Sequence, residues 1–77
     1  MKEEDIKLLL AEVAEREIGP NFEFSWKRGV TDGWDSFNHV KLIIGIEGSF
    51  NISFSIEEID EMNTGEILFK KICEKKL

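Results

Sequence analysis

Cysteine, proline and histidine are nearly absent from this chain of 77 residues, and each occurs only once. Cys73 alone cannot form an internal disulfide, and His39 alone provides no cluster from which to build a zinc site. Cys73 stands among Phe69, Ile72 and Leu77, so it reads as a small core or flank residue rather than a reactive thiol. No apolar run approaches the ~20 residues of a membrane-spanning helix, which excludes membrane insertion by that route. The acidic start Met1-Lys2-Glu3-Glu4-Asp5 does not read as a signal peptide, and the expected location is cytoplasmic. Basic residues are also scarce: 10 Lys and Arg face 16 Asp and Glu, a formal net charge of −6. Such a chain is repelled by nucleic acid and by anionic membrane surfaces, and its partners are expected to be basic.

What is present is enough for one small core. The apolar fraction is 42% and the charged fraction 34%, as in a folded domain rather than a disordered segment. A single domain over residues 1–77 is expected. A chain this short buries only about 60% of its unfolded surface, which leaves little volume for a deep enzyme pocket. We find no repeats, linkers or low-complexity tracts.

Periodicity predicts an all-α fold, a small four-helix bundle with a long first loop. Ile6, Leu9, Leu10 and Val13 fall at i, i+3, i+4 and i+7, between acids at Glu3, Glu4 and Asp5 and the base Arg16. Gly19-Pro20 ends this first helix, with glycine as the left-handed stop and proline unable to continue. From there to Asp35 the chain is irregular. Phe22-Glu23-Phe24-Ser25-Trp26 alternates like a strand but has no strand to pair with, so it reads as a loop whose aromatics pin it to the bundle. The second helix runs from about Ser36 to Phe50. Ser55-Ile56-Glu57-Glu58 has capping-box spacing before a short helix ending about Met62, and Asn63-Thr64-Gly65-Glu66 has the spacing of another before the last helix. That last helix carries Ile67, Leu68, Phe69 and Ile72, then Lys70, Lys71, Lys75 and Lys76 towards its negative dipole end.

The chemistry concentrates at Gly33-Trp34-Asp35-Ser36-Phe37. Asp35 is a favoured cap residue, which puts Ser36 in the first turn of the second helix. Unpaired N–H groups and the positive dipole end would make an anionic group on Ser36 electrostatically at home. Leu42, Ile43, Ile46 and Phe50 suit the core. Phe37, Val40 and Ile44 form a second stripe at i, i+3 and i+7 that is either further core or an exposed docking surface.

These residues resemble the acyl carrier protein family, which also includes peptidyl carrier domains, and the likeness covers essentially the whole chain. At its centre Asp35-Ser36-Phe37 is similar to the family's Asp-Ser-Leu, preceded by Gly33. An apolar helix with Ile46-Glu47 and Phe50 follows, then a short acidic helix from Glu57 to Met62, and Thr64 at the start of the last helix. The resemblance implies a shuttle rather than an enzyme. A phosphopantetheinyl transferase would move a 4′-phosphopantetheine arm from coenzyme A onto Ser36, with Asp35 as motif residue and cap. The arm's thiol would then carry an acyl, aminoacyl or polyketide cargo as a thioester between loading and transfer enzymes. Phe37, Val40, Lys41, Ile44 and Glu47 would meet those partners, and the carrier is expected to be a monomer.

Departures from the pattern point to a specialised stand-alone carrier. Phe37 replaces the usual leucine, and Asn38, His39 and Lys41 make the second helix less acidic than in carriers of primary fatty acid synthesis. Asp32 stands before Gly33 where an apolar residue is common, and Gly65 after Thr64 predicts a looser start to the last helix. His39 is expected as a solvated surface histidine, the alternative being a contact to the arm's phosphate. Two other functions compete. A hydrolase would use Ser36 as nucleophile, His39 as base and Asp32, Asp35 or Asp60 as orienter, but would still need an oxyanion hole and a cleft. An unmodified acidic interaction module would dock through Glu57, Glu58, Asp60 and Glu61, residues that otherwise read as a solvated helix end.

Overall fold

Acids in the first turn and apolar residues at helical spacing produce α1, Glu3–Glu17, in the computed structural model, which describes residues 1–77. Ile6, Leu10, Val13 and Ala14 are its buried face. The helix stops where expected, but not by the expected device. Ile18 and Gly19 both donate their N–H to the Ala14 carbonyl, at 2.8 and 3.4 Å, and the left-handed residue is Asn21 (φ 65°) rather than Gly19. Asparagine tolerates that conformation because its short polar side chain can bond locally.

Three further helices complete an all-α four-helix bundle: α2, Ser36–Phe50; α3, Ile56–Glu61; and α4, Gly65–Lys76. Asn51 ends α2 in the left-handed conformation (φ 57°), its N–H bonded to the Glu47 carbonyl. The Ser55–Glu58 capping box is formed in both directions, at 3.1 and 2.9 Å. The cap of α4 is Thr64, one residue later than the Asn63–Glu66 spacing suggests, and its Oγ1 accepts the Ile67 N–H at 3.1 Å. The core joins Ile6, Leu10 and Val13 of α1 to Leu42, Ile43, Ile46 and Phe50 of α2 and Leu68 and Ile72 of α4. Trp34, Phe54 and Met62 enter it from the connections. No helix is long and apolar enough to cross a membrane.

The alternating segment 22–26 forms no sheet, yet its alternation has a cause. Phe22, Phe24 and Trp26 are half-buried while Glu23 and Ser25 are exposed. The inward rings make edge contacts, Phe22 with Phe24 at 5.6 Å and with Trp26 at 5.3 Å, and Phe24 stacks on Phe69 of α4 at 5.3 Å. The backbone of the same segment caps α4. The carbonyls of Trp26 and Phe24 accept the N–H groups of Gly65 and Glu66, both at 3.0 Å, and a single antiparallel bridge joins Lys27 to Thr64. With Thr64 serving Ile67 and Leu68, the first four N–H groups of α4 are all satisfied.

Gly65 is therefore the reverse of a loose start. A Cβ there would stand 2.7 Å from Phe24 Cα and 2.8 Å from the carbonyl oxygens of Glu23 and Phe24, so only glycine lets the segment lie this close. The expectation of looseness came from helix propensity alone, and packing against a distant segment overrides it.

Candidate functional site

Asp35 makes the start of α2 a well-defined place. Its extended backbone turns the chain into the helix, and its Oδ1 accepts the Asn38 N–H at 2.8 Å. Asn38 returns the connection, donating Nδ2–H to the Gly33 carbonyl at 2.7 Å. Ser36 is consequently the first helical residue, exposed, with Asp35 rather than its own hydroxyl acting as the cap. The Ser36 and Phe37 N–H groups have no partner in the chain and stay available to an anion on the serine.

The loop ahead of Ser36 is held by its own backbone. Thr31 Oγ1 accepts the Lys27 N–H at 2.8 Å, the Thr31 N–H returns to the Lys27 carbonyl at 2.8 Å, and the Gly29 N–H reaches the Trp34 carbonyl at 2.7 Å. Gly33 (φ 87°) brings this loop against the end of α1, where an added Cβ would lie 2.7 Å from the Ile18 carbonyl oxygen. Residues 29–35 line an open, mostly polar cleft of about 270 Å³ that ends at Asp35, beside Ser36. A second cleft, about 340 Å³, lies between α1 and the aromatic segment and involves none of the residues around Ser36.

His39 is not the solvated surface residue its polarity suggests, nor is it free to touch a phosphate on Ser36. It is 2% exposed, stacked near-parallel with Trp34, and both ring nitrogens are engaged. Trp34 Nε1–H donates to Nδ1 at 3.0 Å, and Nε2 stands 3.0 Å from the Ile59 carbonyl of α3. Burial is the main force holding its pKa below the ordinary value of 6.5. The Ile59 carbonyl pulls upward, Arg28 pushes down and Asp60 pulls up. With both nitrogens occupied, no base addresses the Ser36 hydroxyl, and the hydrolase arrangement of Ser36 with His39 does not form.

The apolar residues of α2 divide cleanly. Leu42, Ile43, Ile46 and Phe50 face the core, whereas Phe37, Val40 and Ile44 are 74%, 54% and 63% exposed and form an outward stripe beginning next to Ser36. Lys41 Nζ lies 5.6 Å from the Phe37 ring centroid, a cation over an exposed aromatic face. Glu47 is half-buried, and its Oε2 accepts the Phe54 N–H at 2.9 Å, so its carboxylate holds the connection after α2. Of the four acids around α3, Glu58 pairs with Lys75 at 3.3 Å and Glu61 with Lys71 at 3.7 Å. Glu57 and Asp60 remain exposed without such a pair.

The structural roles of Trp34, Asn38 and His39 are not read from the sequence. A signal for the last was present: His39 falls in register with Leu42, Ile43, Ile46 and Phe50, at spacings of 3, 4, 7 and 11 that place it on the core face. No protein-family model matches the chain, and no curated protein or solved structure is significantly similar to it.

Proposed function

We propose that this chain is an acyl carrier protein, a specialised stand-alone member of that family. It would carry acyl, aminoacyl or polyketide intermediates as thioesters on a phosphopantetheine arm attached to Ser36. One observation supports the reading: an exposed serine opens a capped helix with two unpaired N–H groups in its first turn, a polar cleft in the loop before it and an exposed apolar stripe along the helix after it.

In the modification, Ser36 Oγ bonds to the pantetheine-bearing phosphorus of coenzyme A. The diphosphate P–O bond breaks, adenosine 3′,5′-bisphosphate leaves, and the hydroxyl proton passes to a base of the transferase. His39, with both nitrogens engaged, is not that acceptor. The chain's own part is to hold the hydroxyl exposed and to stabilise the phosphodiester through the helix start. Partners would be the transferase and acyl-loading and acyl-transfer enzymes, meeting a cytoplasmic monomer along Phe37, Val40, Lys41 and Ile44.

The test is intact-protein mass after incubation with coenzyme A and a broad-specificity phosphopantetheinyl transferase. One phosphopantetheine on the wild type and none on Ser36→Ala, with both folded, is the expected result. Ser36 does not cap the helix, so the substitution should change stability by no more than about 0.5 kcal/mol. An unchanged wild-type mass in the presence of active transferase refutes the carrier reading.

A further inference from the structure

The His39 imidazole joins three parts of the chain: Trp34 of the loop before Ser36, α2 itself, and Ile59 of α3. Because Trp34 Nε1 can only donate, Nδ1 must be the bare nitrogen, and Nε2 therefore carries the hydrogen directed at the Ile59 carbonyl. Trp34 is 1% exposed and His39 2%, so neither has water to replace a lost bond. Trp34 also anchors its loop: its carbonyl accepts the Gly29 N–H at 2.7 Å, and its N–H donates to the Thr31 carbonyl at 3.1 Å. Two residues beyond it is Ser36.

We propose that His39 is a positioning residue for the Ser36 site, a latch that holds Trp34 and its loop while neutral and releases them when Nδ1 takes up a proton. In the imidazolium both nitrogens are donors, so Nδ1–H would face Trp34 Nε1–H, and no rotation of the ring restores an acceptor. The two sides of the latch respond oppositely. The bond to Ile59 becomes charge-assisted and persists, while the bond to Trp34 is lost. The charges acting on the imidazole are Arg28 from the loop, which opposes protonation, and Asp60 from α3, which favours it. Acid should therefore loosen the loop at residues 27–34 and leave α3 seated. The latch rests on the carrier reading only for the purpose of the site, and the experiment below reads the latch whether or not Ser36 is modified.

The experiment follows the indole N–H signals of the full chain by NMR as pH is lowered from about 7.5 to about 4, a window carried below the ordinary histidine range because burial lowers the His39 pKa. Trp26, whose indole makes no hydrogen bond in the chain, serves as the internal reference. As His39 titrates, exchange of the Trp34 indole N–H and of the Gly29 amide should rise about tenfold relative to that reference, the scale set by orphaning a buried donor. The amides of α3 should not follow. His39→Gln, whose amide can accept from Trp34 and donate to Ile59 without titrating, should abolish the response. Should that variant fail to fold, Trp34→Phe provides the second arm: with the donor gone, the His39 pKa should rise. A Trp34 signal unmoved through the His39 titration, release of α3 together with the loop, or an unshifted His39 pKa in Trp34→Phe would each overturn the proposal.

Discussion

Replacing Gly33 with alanine should destabilise the chain, and the same replacement at Gly48 should stabilise it. Gly33 has φ 87°, a conformation costing other L-residues about 1–2 kcal/mol, and its new Cβ would stand 2.7 Å from a backbone oxygen, Ile18 O. A carbonyl at the end of α1 cannot swing aside like a flexible side chain, so the overlap adds about 1–3 kcal/mol. Alanine's smaller loss of chain entropy returns only about 0.4–1 kcal/mol. The net loss is about 1–5 kcal/mol, a large share of the roughly 4–12 kcal/mol expected for a domain of this size. Gly48 is helical, exposed, and has nothing within 4 Å of a built Cβ. There the helix-propensity term acts alone and alanine gains about 0.5–1 kcal/mol. Urea unfolding followed by far-UV circular dichroism measures both, and with a slope near 1 kcal/mol/M the Gly33→Ala midpoint should fall by about 1 M or more. Equal or greater stability for Gly33→Ala would show that the loop does not lie against Ile18 as described, and the geometry argued for the approach to Ser36 would be wrong.

The remaining predictions concern the exposed stripe, pH and the single thiol. Phe37→Ala and Lys41→Glu should each change stability by less than about 1 kcal/mol, because both residues are exposed. In loading assays on the modified chain, Phe37→Ala should slow all partner enzymes, whereas Lys41→Glu should speed enzymes with basic docking faces, more at low salt than at high. His39 is neutral when folded and gains a proton on unfolding below 6.5, so stability should decline as pH falls from that value to its depressed folded pKa, with a slope of at most about 1.4 kcal/mol per unit. A chemical-denaturation series in buffers across that range checks this, and His39→Gln should flatten it. Glu58 adds a second acidic limb: the Ser55 N–H, aided by Lys75, lowers its pKa from 4.5, so its contribution is present above that value and disappears as pH falls through the folded pKa. Burial raises the Cys73 thiol pKa, with Glu3 adding and Lys7 opposing, so iodoacetamide should label it more slowly at neutral pH than a free cysteine. A modified chain would then show one fast thiol, on the arm, and one slow.

How much of this was legible in the sequence follows from the range of the bonds involved. The starts of α2 and α3 could be read because Asp35 and Ser55 each reach an N–H three residues ahead. The inward residues of α1 and α2 could be read because the helical repeat fixes which side chains share a face. The first loop could not, since its restraints link residues far apart in the chain: Trp26 to Gly65, Gly33 to the end of α1, and Trp34 through His39 to Ile59. No local pattern encodes such pairings. His39 is a different case, because its spacing places it on the core face while its polarity favours the surface. A buried histidine is acceptable where both nitrogens are satisfied, and the donor that satisfies Nδ1 lies only five residues upstream.

Those long-range ties bear on what a partner would find at this surface. From Ser36 to Ile44 the chain is uninterrupted helix, so the rise along its axis is about 12 Å and the stripe from Phe37 to Ile44 covers nearly all of it. A partner that grips Phe37, Val40 and Ile44 therefore meets Ser36 at a fixed offset, set by helical geometry and independent of loop motion. The loop leads into the helix at Ser36, and its position depends on Gly33 packing against Ile18 and on Trp34 bonded to His39. Residues 27–35 contribute only the Trp34 ring to the buried core, so the loop is held by that one ring together with its hydrogen bonds. The polar bonds are the part of that hold that responds to a proton, where apolar contacts do not. The proposed site thus combines a rigid side, which presents Ser36 and the docking stripe, with a side whose order can change while the helix bearing the serine stays in place.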